Sequence, residues 1–148
     1  MRVFLVIMDE TEEARAALRF ATRRAAATGG AVHLLALVPQ QNVSAFGAVQ
    51  ATIEQEARDR AEMLANGAAG NIFSECGIMP AISVRVGGAN NVTHEFLEEH
   101  EEVAALVLGA AGSGNPGPLV TYFSAHAGSL PCPLYIVPKG YEEKGDAC

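Results

Sequence analysis

Five short apolar runs alternate with four helical patterns along this chain, and that alternation leaves few folds open. The first run, Val3-Phe4-Leu5-Val6-Ile7-Met8, is unbroken and mostly β-branched or aromatic, as a strand covered on both faces of a parallel sheet must be. Asp9 ends it. From Glu12 to Thr28 the period becomes helical: Ala14, Ala17, Leu18, Ala21 and Ala25 form an apolar stripe, Arg15, Arg19 and Arg23 a polar one, and Gly29-Gly30 stops the helix. Val32 to Val38 is the second run, closed by Pro39.

A polar stretch with Asn42, Ser44 and Gly47 then leads into a long helical pattern, with Ile53, Ala57, Ala61, Leu64, Ala68 and Ile72 on one side. Glu54, Arg58 and Glu62 form a solvated face at i,i+4 spacing, and Cys76-Gly77 ends the helix. Pro80 to Val86 reads as the third strand. The turn Gly87-Gly88-Ala89-Asn90-Asn91 offers asparagine caps for a short helix from about Val92 to Glu101. Val103 to Leu108 is the fourth strand, and a Gly/Pro-rich loop from Gly109 to Pro118 precedes a helix over Leu119 to Gly128. Pro133 to Pro138 is the fifth strand. Residues 1–140 thus form one domain, and 141–148 a polar, flexible C-terminal tail.

Strands alternating with helices predict an α/β fold, a mainly parallel sheet with helices on both faces, because crossovers are right-handed. Ligands in such sheets bind beyond the carboxyl ends of the strands, where strand order reverses. That singles out Asp9, Leu37, Val38 and the loop from Gly109 onward.

The 148 residues suffice for one hydrophobic core. Seventeen Asp and Glu against ten Lys and Arg give a formal charge of -7, which argues against nucleic acid or anionic lipid as a partner. No run of ~18 apolar residues occurs to span a membrane. Three cysteines without a C-x-x-C suggest neither a disulfide framework nor a zinc site and fit a reducing, cytoplasmic setting.

Gly112-Ser113-Gly114-Asn115-Pro116-Gly117 matches G-x-G-x-x-G. However, it follows the fourth strand, Pro116 removes one donor, and Ile136-Val137 stands about 20 residues on, where a ribose-binding acid is required. A dinucleotide site is disfavoured. The chain has no G-x-x-x-x-G-K-[ST].

Taken in order, Val6-Ile7-Met8-Asp9 with an acidic helix start, the long second helix, Gly87-Gly88, Leu106-Val107-Leu108-Gly109 and Pro131-Cys132-Pro133-Leu134-Tyr135-Ile136-Val137 resemble the universal stress protein family from Arg2 to Pro138. The resemblance implies a five-stranded sheet of order 3-2-1-4-5, like that of the adenine nucleotide alpha hydrolases. It also implies a homodimer paired through the last strands, here Leu134, Tyr135, Ile136 and Val137.

Nucleotide-binding members carry G-x-x-G, nine residues, then G-[ST] after strand four, with an Asp ending strand one and a residue near the end of strand two. Asp9, Leu37 or Val38, and Gly109-Ala110-Ala111-Gly112 match. Only Ser113 through Leu119 then intervene before Val120-Thr121, so a valine replaces the second glycine. Gly109 through Pro118 also holds no Lys or Arg to offset phosphate charge. The candidate nucleotide contacts are therefore Asp9, Val38, Gly109, Gly112, Gly114, Gly117 and Thr121, with weak or absent ATP or AMP binding.

Asp9 could equally cap the following helix. Arg15, Arg19, Arg23 and Arg24 read as a solvated stripe paired in part with Glu12 and Glu13. His94 and His100 point about 120° apart on one helix and cannot share a metal. His33 reads as a hydrogen-bonded packing residue, and Glu98, Glu99, Glu101 and Glu102 as a solvated charge run. Cys132 reads as buried and inert, and Cys148 lacks positive neighbours. No nucleophile stands with its base. The expected function is a dimeric, non-catalytic stress-response protein acting through protein interactions. The alternative is an ATP- or AMP-binding sensor, or slow hydrolase, using the loop after strand four.

Overall fold

The computed structural model describes residues 1–40 and 47–141. Strands β1 (Val3–Met8), β2 (Ala31–Val38), β3 (Ala81–Val86), β4 (Val103–Gly109) and β5 (Leu134–Val137) alternate with helices α1 (Glu12–Thr28), α2 (Gly47–Cys76), α3 (Ala89–Glu99) and α4 (Pro118–Ala125). All strand pairs are parallel, in the order β3-β2-β1-β4-β5. The expected architecture and strand order are therefore those observed.

The unbroken β1 run follows from its central position. Phe4, Val6 and Met8 face a core closed by Leu18, Ala21 and Ala25 of α1 and Ala69 and Ile72 of α2. Leu5 and Ile7 face the opposite core, with Phe96 and Leu97 of α3 and Val120 and Phe123 of α4. Both faces are covered, so no position in the strand tolerates a polar side chain without loss of apolar burial, at ~25 cal/mol per Å².

The boundaries of α1 match the sequence reading. Thr11 caps its N-terminus, with the Ala14 N–H donating to the Thr11 hydroxyl at 3.2 Å, and Gly29 ends it at φ +67°, a conformation glycine adopts without a Cβ penalty. Two other helices differ from expectation. Helix α3 begins at Ala89, so Asn90 and Asn91 lie inside its first turn, and Gly88 is the cap with no side-chain bond. Helix α4 ends at Ala125: the His126 ring bonds back to the Tyr122 carbonyl at 2.8 Å, and a short 3₁₀ turn, Ala127–Ser129, follows.

Strands β3 and β5 are the sheet edges. On β5, Tyr135 and Ile136 are 40% and 41% exposed while Val137 is buried. Cys132 is a free, half-buried thiol, and burial raises its pKa, so it stays protonated and unreactive. Cys76 is disulfide-bonded, a pairing that the odd count and wide spacing did not reveal. The readings of Asn42 and Ser44, of Cys148 and of the tail beyond Tyr141 lie outside the described residues. Among the described residues no helix is long and apolar enough to cross a membrane.

Candidate functional site

The strand order reverses between β1 and β4, and a cavity of about 740 Å³ opens above the carboxyl ends of β1 and β2. Ile7, Leu37, Leu64 and Leu119 give it apolar walls; Asp9, Arg60, Asn90 and Asn91 bring polar groups to it. Its size and mixed lining suit a small organic ligand. A smaller cavity of about 100 Å³ adjoins at Asp9, lined also by Thr11, Glu13, Gly109, Gly117 and Pro118.

Asp9 lies where β1 has just ended and borders both cavities. It does not cap α1 directly. One carboxylate oxygen accepts the Thr11 N–H at 2.8 Å and the Thr11 hydroxyl proton, which leaves the hydroxyl's lone pairs aimed at the Ala14 N–H. One carboxylate oxygen thus orients Thr11, and the other has no protein hydrogen bond among the described residues.

Of the two strand-two candidates, Leu37 lines the cavity and Val38 does not. Val38 is fully buried, and its carbonyl accepts the Gly87 N–H at 2.9 Å, tying β2 to the turn before α3. Pro39, the next residue, reaches the cavity instead.

The four loop glycines serve different needs. A Cβ on Gly109 would collide with the backbone carbonyl of Glu13, and Gly117 sits at φ +97°. Both are therefore required by the chain's own packing and turn. Gly112 would meet only the Asn115 carbonyl at 3.6 Å, and Gly114 nothing within 4 Å. The loop folds back on itself through Ala111 N–H to the Pro116 carbonyl (3.0 Å) and Gly117 N–H to the Asn115 side chain (3.1 Å). Among the described residues, the N–H groups of Gly112, Ser113, Gly114 and Asn115 donate to no protein acceptor. Four successive free N–H groups can cradle an anion.

Thr121 is exposed, and its hydroxyl donates to the Gly117 carbonyl at 2.8 Å. Its proton is turned back into the first turn of α4. The structure thus brings Asp9, Gly109 and Gly117 together at the small cavity and leaves Val38, Gly112, Gly114 and Thr121 outside the lining of both.

Arg60 was missed by sequence reasoning. It lies three residues beyond Ala57 and four before Leu64 on the cavity-lining side of α2, so a charge interrupting that apolar stripe was the available signal. Arg19 and Lys139 likewise meet beside Ala110 and Ala111 around a third cavity of about 330 Å³. The loop without cations therefore has cations near it, contributed by other elements.

The polar groups elsewhere are largely paired. Arg15 and Arg19 reach Glu12 at 3.3 and 3.6 Å, as the stripe reading expected. His33 shares a 2.7 Å hydrogen bond with Ser83, and His94 one of 3.0 Å with the Tyr122 hydroxyl.

The model of the Universal stress protein family matches residues 1–138. No curated protein sequence matches significantly. Among solved structures, the universal stress protein UspA from Lactobacillus plantarum is similar, with a TM-score of 0.71 at 19% identity, over 92% of this chain and 97% of that one. A universal stress protein from Archaeoglobus fulgidus in complex with dAMP gives 0.64 at 17% identity, over 93% and 97%. A universal stress protein in complex with cAMP gives 0.58 at 16% identity, over 92% and 96%. At these identities the likeness is one of fold.

Proposed function

The chain belongs to the universal stress protein family, and from that premise we propose that it is a non-catalytic binding protein for an adenine nucleotide, whose occupancy it reports to other proteins. The observation that carries this reading is the cavity of about 740 Å³ above the carboxyl ends of β1 and β2, beside the point where strand order reverses. The base packs between Leu37, Leu64 and Leu119, the second oxygen of Asp9 takes a ribose hydroxyl, and the phosphate extends past the small cavity at Gly109 and Gly117 toward the N–H groups of Gly112 to Asn115, which lie outside the cavity lining. Two solved relatives are complexes with dAMP and cAMP, which supports an adenine ligand. With no Lys or Arg in the loop and Glu10 beside Asp9 on the wall, a triphosphate is held weakly.

Mass spectrometry of the denatured purified protein, with calorimetric titration of AMP, cAMP and Mg-ATP, tests this. Micromolar binding of at least one ligand is expected. No co-purified nucleotide and no heat with any of the three would overturn the reading.

A second feature favours a homodimer. Strand β5 is an edge whose exposed Tyr135 and Ile136 are both apolar-bodied, and edge strands of this kind pair with another chain. Antiparallel pairing of β5 with its copy buries them. A cytoplasmic setting is part of the same proposal; the free Cys132 thiol supports it, while the Cys76 disulfide pulls the other way.

A further inference from the structure

Helix α3 touches two places of different character. Its first residues, Ala89 to Asn91, with Gly88 before them, line the nucleotide cavity. Its last turn rests on a pair of histidines. The His33 ring of β2 packs edge-on against Phe96 at 4.9 Å and against His100 at 5.8 Å between centroids, and His100 stacks on Phe96 at 4.0 Å. Eleven residues separate these ends, about 16 Å of rigid helix.

The charges around this pair come from every neighbouring element. Strand β3 supplies Ser83, bonded to His33, and Arg85, whose guanidinium lies 5.0 Å from the Phe96 ring centre. Helix α3 supplies Glu99, which binds Arg85 at 2.8 Å, and the turn after it supplies Glu102, which binds His100 at 2.6 Å. On the β1 side, apolar Leu5 stands in register with His33. Two carboxylates are thus matched to Arg85 and His100, and among the described residues no carboxylate pairs directly with His33. The negative end of the α3 dipole disfavours no positive charge here, and His100 stands at that end as the C-terminal cap.

We propose that the His33–His100 pair is an acid-sensitive latch for α3, through which proton uptake loosens the nucleotide cavity at the helix's other end. This regulation rests on the nucleotide reading of that cavity. As pH falls, the His33 imidazole takes up a proton. A proton on His33 then adds an uncompensated charge next to His100 and Arg85, in a half-buried position. Burial, His100 and Arg85 all hold the His33 imidazole below the usual histidine range, outweighing Glu102. The repulsion is relieved when the last turn of α3 lifts from β2, carrying Phe96 with it, and Gly88 to Asn91 lose their fixed place at the cavity wall.

Two measurements test the latch. Cyclic AMP is the probe, because its phosphodiester does not titrate in this range. Its affinity is expected to fall about tenfold between pH 7.5 and 5.0 in the native protein, and less than twofold in His33→Gln and His100→Gln, with all three proteins alike at pH 7.5. Hydrogen exchange over residues 89–100 of the free protein, corrected for intrinsic rates, is expected to rise at pH 5.0 in the native protein alone. Binding that is sound at pH 7.5 and equally pH-dependent in all three proteins overturns the latch. Absent binding at pH 7.5 overturns the nucleotide reading and the coupling with it, and exchange that does not differ between native and variants overturns the latch on its own.

Discussion

Gly109 and Glu13 meet backbone to backbone: a Cβ on the glycine would lie 2.7 Å from the carbonyl carbon of Glu13. The residue that opens the ligand loop is therefore first a packing residue, fixed by how closely the start of α1 approaches the end of β4. Gly109→Ala must displace helix or strand, and overpacking of this kind costs about 1–3 kcal/mol or more. The expected outcome is a melting temperature lowered by several degrees, with or without nucleotide. A variant as stable as the native protein would show that α1 and β4 can separate freely.

Gly112→Ala and Gly114→Ala make the complementary case. Neither Cβ meets a close neighbour within the chain and neither glycine has positive φ, so both variants keep the native melting temperature to within about 0.5 kcal/mol of stability. Methyl groups there narrow the approach to the free N–H groups of residues 112–115. Calorimetric affinity for AMP is expected to fall about tenfold. Unchanged affinity would remove the loop from the site.

The fold was legible because β1 is covered on both faces and so has no polar position to obscure its run, while Gly29 and Thr11 punctuate α1 with local chemistry. The site was less so. Which side of β2 reaches the cavity depends on the pleat, which brings Leu37 rather than Val38 to it. Arg60 arrives from α2, far from the loop in sequence. The packing duty of Gly109, which Gly112 does not share, depends on the start of a helix 96 residues earlier in the chain. Periodicity carries no information about such approaches.

Ile136→Asp tests the edge strand. Ile136 is exposed in the single chain and contributes little to its core, so the monomer fold survives the substitution. Light scattering at micromolar concentration is expected to give a dimer of the native 15.5 kDa chain and a monomer of the variant. A native particle of 15.5 kDa would remove the dimer.

The half-buried His33 makes stability depend on pH in a definite direction. Its folded pKa lies below its unfolded value of 6.5, so in the interval between them the unfolded chain binds more protons. Stability is therefore full above pH 6.5 and declines as pH drops through that value toward the folded pKa. Urea midpoints measured from pH 8 to pH 5 are expected to fall, with a shallower decline in His33→Gln. Glu99 and Glu102, whose pKa values are lowered by hydrogen bonds to Arg85 and His100, act only below the usual carboxylate range, about pH 4.5, and so leave this window to the histidine.

Thr93 presents the opposite situation, a polar group with nothing to titrate and nothing to bind. It is fully buried in α3, and its hydroxyl has no protein partner among the described residues. A buried hydroxyl left without a hydrogen bond costs about 1–3 kcal/mol of desolvation, and valine fills the same volume without it. Helix propensity does not offset this, because both side chains are β-branched. Thr93→Val is expected to raise the urea midpoint by an amount equivalent to about 1 kcal/mol, with AMP affinity unchanged. If it lowers stability, the hydroxyl is bonded in solution, and the wall of α3 next to the cavity is more polar than its side chains suggest.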